Sequence, residues 1–105
     1  MTDPQELKAL TDRFVKQLSP KKVFLFGSFA KGSEREDSDY DFYIVMPDDT
    51  PDLADAAAEA YRSVRFIKQR PIDILVGTDS YFESRRHMPS MENEVFTTGV
   101  LLYER

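Results

Sequence analysis

Apolar and polar residues follow two rhythms along this chain, one near 3.6 residues and one of short unbroken runs. The helical rhythm comes first: Leu7, Leu10, Phe14 and Leu18 fall on one face. Asp3 suits the cap of that helix, Pro4 its first position and Glu6 a capping box, while Ser19-Pro20 ends it. Val23-Phe24-Leu25-Phe26 is apolar at every position, which predicts a short strand covered on both faces. Gly27-Ser28 breaks it, and Phe29-Ala30-Lys31 has room for one helical turn before Gly32. A polar loop over residues 33–38 leads to a second strand, Tyr40–Met46, and Pro47-Asp48-Asp49 turns the chain. Thr50-Pro51 opens a second long helix with Leu53, Ala57, Ala60, Tyr61 and Val64 on its inner face. Residues 72–76 form a third strand, stopped by Gly77. Ser80 and Glu83 fit a capping box for a short helix. Pro89-Ser90 starts another, with Met91, Val95 and Phe96 as its apolar side, and Thr98-Gly99 ends it. Residues 100–103 finish the chain as a short strand or extended arm.

The order α-β-α-β-α-β-α-β predicts an α/β (α+β) fold, a small mixed sheet of about four strands with helices mainly on one face. A chain of 105 residues carries one core, so a single domain over 1–105 is expected. With 41% apolar and 31% charged residues, the composition is that of a water-soluble globular protein. No apolar run approaches the ~18 residues of a membrane span, and no secretory leader pattern is present. The chain has no cysteine, which excludes disulfides and thiolate metal sites and agrees with a cytoplasmic protein. A net charge of −5, with only short basic pieces at Lys21-Lys22, Lys68-Gln69-Arg70 and Arg85-Arg86, disfavours a long nucleic acid. It does not disfavour a small anion that arrives with a metal, because the metal reverses the local charge.

The chemistry concentrates in Gly27-Ser28, then a spacer of ten residues, then Asp39-Tyr40-Asp41. Residues two apart in a strand share a side, ~7 Å apart, so Asp39 and Asp41 can converge on one hard cation. Asp73 interrupts the apolar third strand and joins them if the second and third strands are neighbours. Bare carboxylates so close would repel. Mg²⁺ resolves this, since it takes carboxylate, water and phosphate oxygens, and two such ions can clamp an in-line displacement. Gly27 lets backbone approach a phosphate, Ser28 adds a donor and Lys31 a positive charge. Each residue has a plainer reading alone: Asp39 as solvated surface, Asp73 as an edge-strand charge, Ser28 as a helix cap, Lys31 as a surface lysine. Their combination favours a metal–nucleotide site.

Two rival motifs fail on these residues. A P-loop needs lysine after its second glycine, and Ser33 follows Gly32. An EF-hand starting at Asp37 needs glycine where Phe42 stands, and glutamate where Asp48 stands. His87, the one histidine, has no partner at metal-ligand spacing and reads as a surface or interface residue. Tyr40, Phe42 and Tyr43 read as strand packing, as does Tyr103.

The run GSFAKGSEREDSDYDFYIV resembles the signature of the polymerase β-like nucleotidyltransferases, and its spacer and small size resemble the minimal nucleotidyltransferase (MNT) group. PIDILV and TTGVLLYER extend the likeness over nearly the whole chain. The resemblance implies that Gly27 and Ser28 hold phosphate, that Asp39 and Asp41 are metal ligands, and that Asp73 is a third ligand and base for the incoming hydroxyl. Phe29-Ala30-Lys31 departs from the arginines many members carry, which lowers the charge of the phosphate pocket. Members of the group often pair with an all-helical HEPN protein as antitoxin and toxin, and some transfer AMP to a tyrosine of that partner. The implied activity is Mg²⁺-dependent transfer of a nucleoside monophosphate, AMP from ATP, to a hydroxyl on a partner protein, within a homo- or hetero-oligomer. The alternatives are a non-catalytic antitoxin that neutralises a HEPN toxin by contact, and an aminoglycoside-type small-molecule transferase, for which no drug-binding second domain is visible.

Overall fold

The computed structural model describes residues 3–105. Helix α1 (Pro4–Leu18) leads to strand β1 (Lys22–Phe26), the single-turn helix α2 (Ser28–Lys31) and strand β2 (Tyr40–Met46). Helix α3 (Leu53–Val64), strand β3 (Ile72–Thr78), helices α4 (Asp79–Arg85) and α5 (Met91–Thr98), and strand β4 (Val100–Glu104) follow. The strands form one sheet in the order β3-β2-β1-β4. β1 runs antiparallel to both β2 and β4, while β2 and β3 are parallel, as the α3 crossover between them requires. The sheet is therefore mixed and four-stranded, as the alternation of elements predicts, and the terminal segment is a true edge strand.

The two long helices, α1 and α3, cover one face. There Leu7, Leu10 and Phe14 pack with Val23, Leu25, Phe42, Ile44, Ala60 and Val64, all buried. Phe14 meets Phe42 edge-on at 5.1 Å between ring centres. Each fully buried side chain of this size contributes about 1.5–3 kcal/mol. The short helices α4 and α5 cover part of the other face, where Phe82 and Val95 close over Phe24, Phe26, Tyr43 and Val45. β1 is thus covered on both faces, the reason it carries no polar position between Val23 and Phe26.

Several local expectations change in the tertiary setting. Asp3 does cap α1, accepting from the Gln5 and Glu6 amides, but Glu6 does not close the box. Its carboxylate is buried and accepts instead from the Gln69 amide at 2.8 Å. Thr50 does not cap α3: its hydroxyl donates to the Pro47 carbonyl, and Asp52 accepts from the Asp55 amide in its place. Tyr61 is 40% exposed because its phenol leaves the core to accept from the Ile74 amide on the outer strand at 2.9 Å, and Ala56 takes the inner position. Ser80 does not cap α4. It bonds to Asp48 across the β2–α3 turn, and Thr78 accepts from the Tyr81 amide as the cap. On α5, Met91 and Phe96 are exposed while Glu92 is buried beside Val95. β3 does not stop at Gly77 but runs on to Thr78, since Gly77 and Thr78 stay paired with Val45 and Met46 of β2, and the Tyr43 side chain fills the space over the glycine. No helix among the described residues is long and apolar enough to cross a membrane.

Candidate functional site

The register of β2 explains which side chains meet. Tyr40, Phe42, Ile44 and Met46 point into the α1–α3 core, so Asp41, Tyr43 and Val45 point to the opposite face. Asp41 pairs with Phe26 on β1 and with Asp73 on β3. Asp41 and Asp73 are therefore direct neighbours on one face of two parallel strands. Asp39 lies one residue before β2 begins, half-buried, and its charge reaches Asp41.

The Gly-Ser turn arrives at the same point from β1. Gly27 has φ 75° and ψ −153°, a region open in practice only to glycine. A methyl group placed on it would stand 2.2 Å from the Asp41 Oδ2 atom. The turn and the central aspartate are thus in direct contact, with only the absence of a side chain making room. Ser28 begins α2, whose N-terminus has no side-chain cap. Lys31, at the other end of α2, donates to the Glu94 carboxylate on α5 at 2.8 Å rather than standing free.

The electrostatics confirm how crowded the spot is. Burial pushes the Asp41 carboxyl above its ordinary range, and the negative charges of Asp73, Asp39 and Glu94 push it further, in that order. Glu94 is a fourth carboxylate at the site and one that no motif points to. Its spacing on α5 is unremarkable, and only the packing of α5 against β1 brings it near. Among the described residues, no three His, Cys, Asp or Glu side chains converge closely enough to hold a metal unaided. Mg²⁺ takes one or two carboxylates and fills its remaining positions with water and substrate phosphate. The donor set, all oxygen and acidic, fits this ion.

Beyond the carboxylates, the same face continues into a cleft of about 340 Å³ at the β3 edge, lined by Tyr43, Leu53, Leu75, Val76, Gly77, Tyr81 and Glu92. A larger groove of about 430 Å³ lies between α1 and β4. It is on the α1 side of the sheet, opposite Asp41, so size does not locate the site. The floor of the smaller cleft is a buried polar pair: the Tyr43 hydroxyl donates to Glu92 at 2.8 Å, and Arg85 donates to the other carboxylate oxygen at 3.0 Å. Burial, then the bond to Glu92, pushes the Tyr43 phenol far above its ordinary range. Burial works to raise Glu92, but Tyr43 and Arg85 outweigh it and hold that carboxyl below its ordinary 4.5. Its contribution to stability is therefore present at neutral pH and is lost on acidification through that lowered value. Tyr43→Phe is expected to destabilise the fold by about 1.5–3 kcal/mol, the worth of a hydrogen bond to a charged group, seen as a lower urea midpoint with an unchanged slope.

His87 is exposed and packs edge-on against Phe96, and among the described residues it belongs to no group of metal-ligating side chains. Tyr40, Phe42 and Tyr43 are buried strand residues, as their pattern predicts.

Several solved structures share the fold. A Sulfolobus solfataricus protein described as a nucleotidyltransferase superposes with a TM-score of 0.67 at 17% identity, over 96% of this chain and 79% of its own. A mutant of the MntA-HpeT toxin–antitoxin gives 0.63 at 18% identity, over 99% of this chain and 75% of the other. A toxin–antitoxin structure with AMP-PNP gives 0.55 at 18% identity, with the same coverage. No curated protein matches in sequence. The nucleotidyltransferase domain family matches residues 7–99, a span that holds the Gly27-Ser28 turn and every carboxylate at the site. On that match, the chain belongs to the nucleotidyltransferase domain family.

Proposed function

We propose that the protein is a Mg²⁺-dependent nucleotidyltransferase that moves a nucleoside monophosphate, AMP from ATP, onto a hydroxyl of a partner protein. The observation that carries this reading is the contact between Gly27 and the Asp41 carboxylate, with Asp73 as the register partner of Asp41. A phosphate at the turn and a cation at the aspartates would be neighbours. The solved relative with AMP-PNP supports a triphosphate substrate, and the toxin–antitoxin relatives support a protein partner, of which a HEPN-type protein is the candidate. Such a substrate is intracellular, in keeping with a cytoplasmic setting.

The sheet order supports a direction for the reaction. Gly27 and Ser28 follow β1 and would hold the pyrophosphate that leaves. Asp41 on β2 stands in the middle, and Asp73 is on β3, an edge strand. An in-line displacement needs the attacking hydroxyl opposite the leaving group, so the acceptor enters from the β3 side, where the cleft of Leu75, Tyr81 and Tyr43 lies. Asp39 and Asp41 would hold Mg²⁺, and Asp73 would orient the acceptor hydroxyl and take its proton. Mg²⁺ supplies charge stabilisation for the phosphoryl oxygens. Positioning and charge stabilisation together account for most of the acceleration such a site can reach. For Lys31 to reach phosphate it must exchange its bond with Glu94, and as that pair is exposed the exchange costs little, about 0–1 kcal/mol.

Incubation with labelled ATP, Mg²⁺ and the protein encoded by the adjacent reading frame is the direct test. The expected result is covalent label on the partner, absent for Asp39→Asn. Partner neutralisation that survives both Asp39→Asn and Asp41→Asn, with no label in the wild type, would sink the catalytic reading and favour an antitoxin acting by contact. In a thermal shift, Mg–ATP at about 100 times Kd should add ~2.7 kcal/mol, several degrees for a domain of this size.

A further inference from the structure

We propose that Arg70 is the positioning residue of the site, a planar clamp that sets the peptide leading into Asp39 and ties the phosphate turn to β2. Four observations place it there. Its guanidinium lies over the ring of Phe29 at 4.8 Å and over the ring of Tyr40 at 5.1 Å. Those two rings are themselves in contact, 4.6 Å between centres, and join α2 to the first residue of β2. One Nη of Arg70 donates to the Ser38 carbonyl at 3.1 Å. The Tyr40 amide donates to the Pro71 carbonyl at 3.1 Å, fixing the start of β2 against the residue after Arg70.

The consequence follows from peptide geometry. The Ser38 carbonyl belongs to the planar peptide unit that ends at the Asp39 nitrogen, so holding it orients Asp39. Phe29 directly follows Ser28, so the cation over its ring bears on the phosphate turn. Asp73 lies three residues further along the same chain. One side chain therefore touches the supports of two parts of the site, the phosphate turn and the peptide leading into Asp39, without facing the carboxylates itself. The loop it holds, residues 33–39, has no regular secondary structure beyond a turn and is rich in charge. Within it the Ser38 amide donates to the Arg35 carbonyl at 3.0 Å and the Arg35 amide to the Ser38 hydroxyl at 2.7 Å, a turn that Arg70 anchors to β2 through the Ser38 carbonyl. The Arg70 Nε atom is buried with no hydrogen-bond partner among the described residues. That cost is tolerated where flat stacking sets the orientation of the group, and a lysine, round and strongly hydrated, would not reproduce it.

The inference about metal binding rests on the proposed function; the clamp itself does not. The test uses the full chain as wild type, Arg70→Lys and Arg70→Met. Amide hydrogen exchange over residues 36–40 is expected to quicken in both variants while exchange in α3 stays unchanged. Mn²⁺ uptake in the presence of α,β-methylene-ATP, read by electron paramagnetic resonance, is expected to weaken about tenfold in both, the usual effect of losing a group that orients a metal ligand. Recovery of Mn²⁺ affinity in Arg70→Lys would mean that charge and not shape matters, and would overturn the clamp. So would unchanged exchange in Arg70→Met. A wild-type chain that takes up no Mn²⁺ would sink the reading of the site and with it the metal role of Arg70, whereas normal wild-type uptake matched by both variants sinks the role of Arg70 alone.

Discussion

Gly27→Ala is expected to abolish nucleotide transfer and to destabilise the fold together. The backbone at this position lies at φ 75° and ψ −153°, where a residue with a side chain is strained by about 1–3 kcal/mol. The added methyl would also meet the Asp41 Oδ2 atom at 2.2 Å, so one of the two must move. Relaxing the strain rotates the turn away from β2, while keeping the turn displaces the carboxylate. Either way the contact that would bring phosphate and cation together is lost. Urea unfolding and Mg–ATP thermal shift on the same sample check both halves of this expectation. An alanine variant with an unchanged urea midpoint and a full nucleotide shift would disprove the contact.

Asp41→Asn is expected to do the opposite to stability while stopping the reaction. Asp41 is partly buried next to Asp73 and inside the fields of Asp39 and Glu94, and its carboxyl is held above its ordinary 3.8. The folded chain therefore keeps this proton to higher pH than the unfolded chain does. Below 3.8 the group is neutral in both states and costs nothing. Between 3.8 and the raised folded value the penalty grows with pH, and above the folded value it is constant. Asparagine removes the charge and the penalty with it. In EDTA, Asp41→Asn should melt a few degrees above the wild type at neutral pH, with the gap closing as the pH is brought below the ordinary aspartate range. With Mg²⁺ and ATP the ranking should reverse, because only the wild type gains from binding. Activity should fall about a thousandfold, since the metal contributes several kcal/mol of charge stabilisation and each ~1.4 kcal/mol is a factor of ten in rate. A variant no more stable than wild type in EDTA would mean that the carboxylates do not crowd one another.

The features of the site that a sequence can display are the local ones. The Gly27-Ser28 turn and the Asp39–Asp41 pair are close in the chain and placed by local geometry: a glycine ends a strand, and the pair straddles the start of the next. Periodicity also settles the elements, because a helix or strand must bury a face whatever its neighbours are. The short-range cap assignments fared less well. Ser80 and Glu6 each found a partner far along the chain, at Asp48 and Gln69, while Thr50 turned back to the Pro47 carbonyl three residues before it. Glu6 is buried, so its carboxylate gains more by accepting the Gln69 amide than it would at an exposed helix end, and no local pattern reports a partner that distant.

What the amino-acid sequence determines by itself is the inventory: four strands, their helices, a phosphate-type turn and acidic residues at set spacings. Tertiary structure alone decided the neighbours. It placed Asp73 beside Asp41 by making β2 and β3 parallel partners in that register, brought Glu94 over from α5 to hold Lys31, and laid Arg70 across Phe29 and Tyr40. The physical reason is range. Capping, turning and periodic burial act over a few residues and leave their mark in local sequence. The pairing of strands and the stacking of a cation act between segments distant in the chain, and they exist only once the sheet has formed.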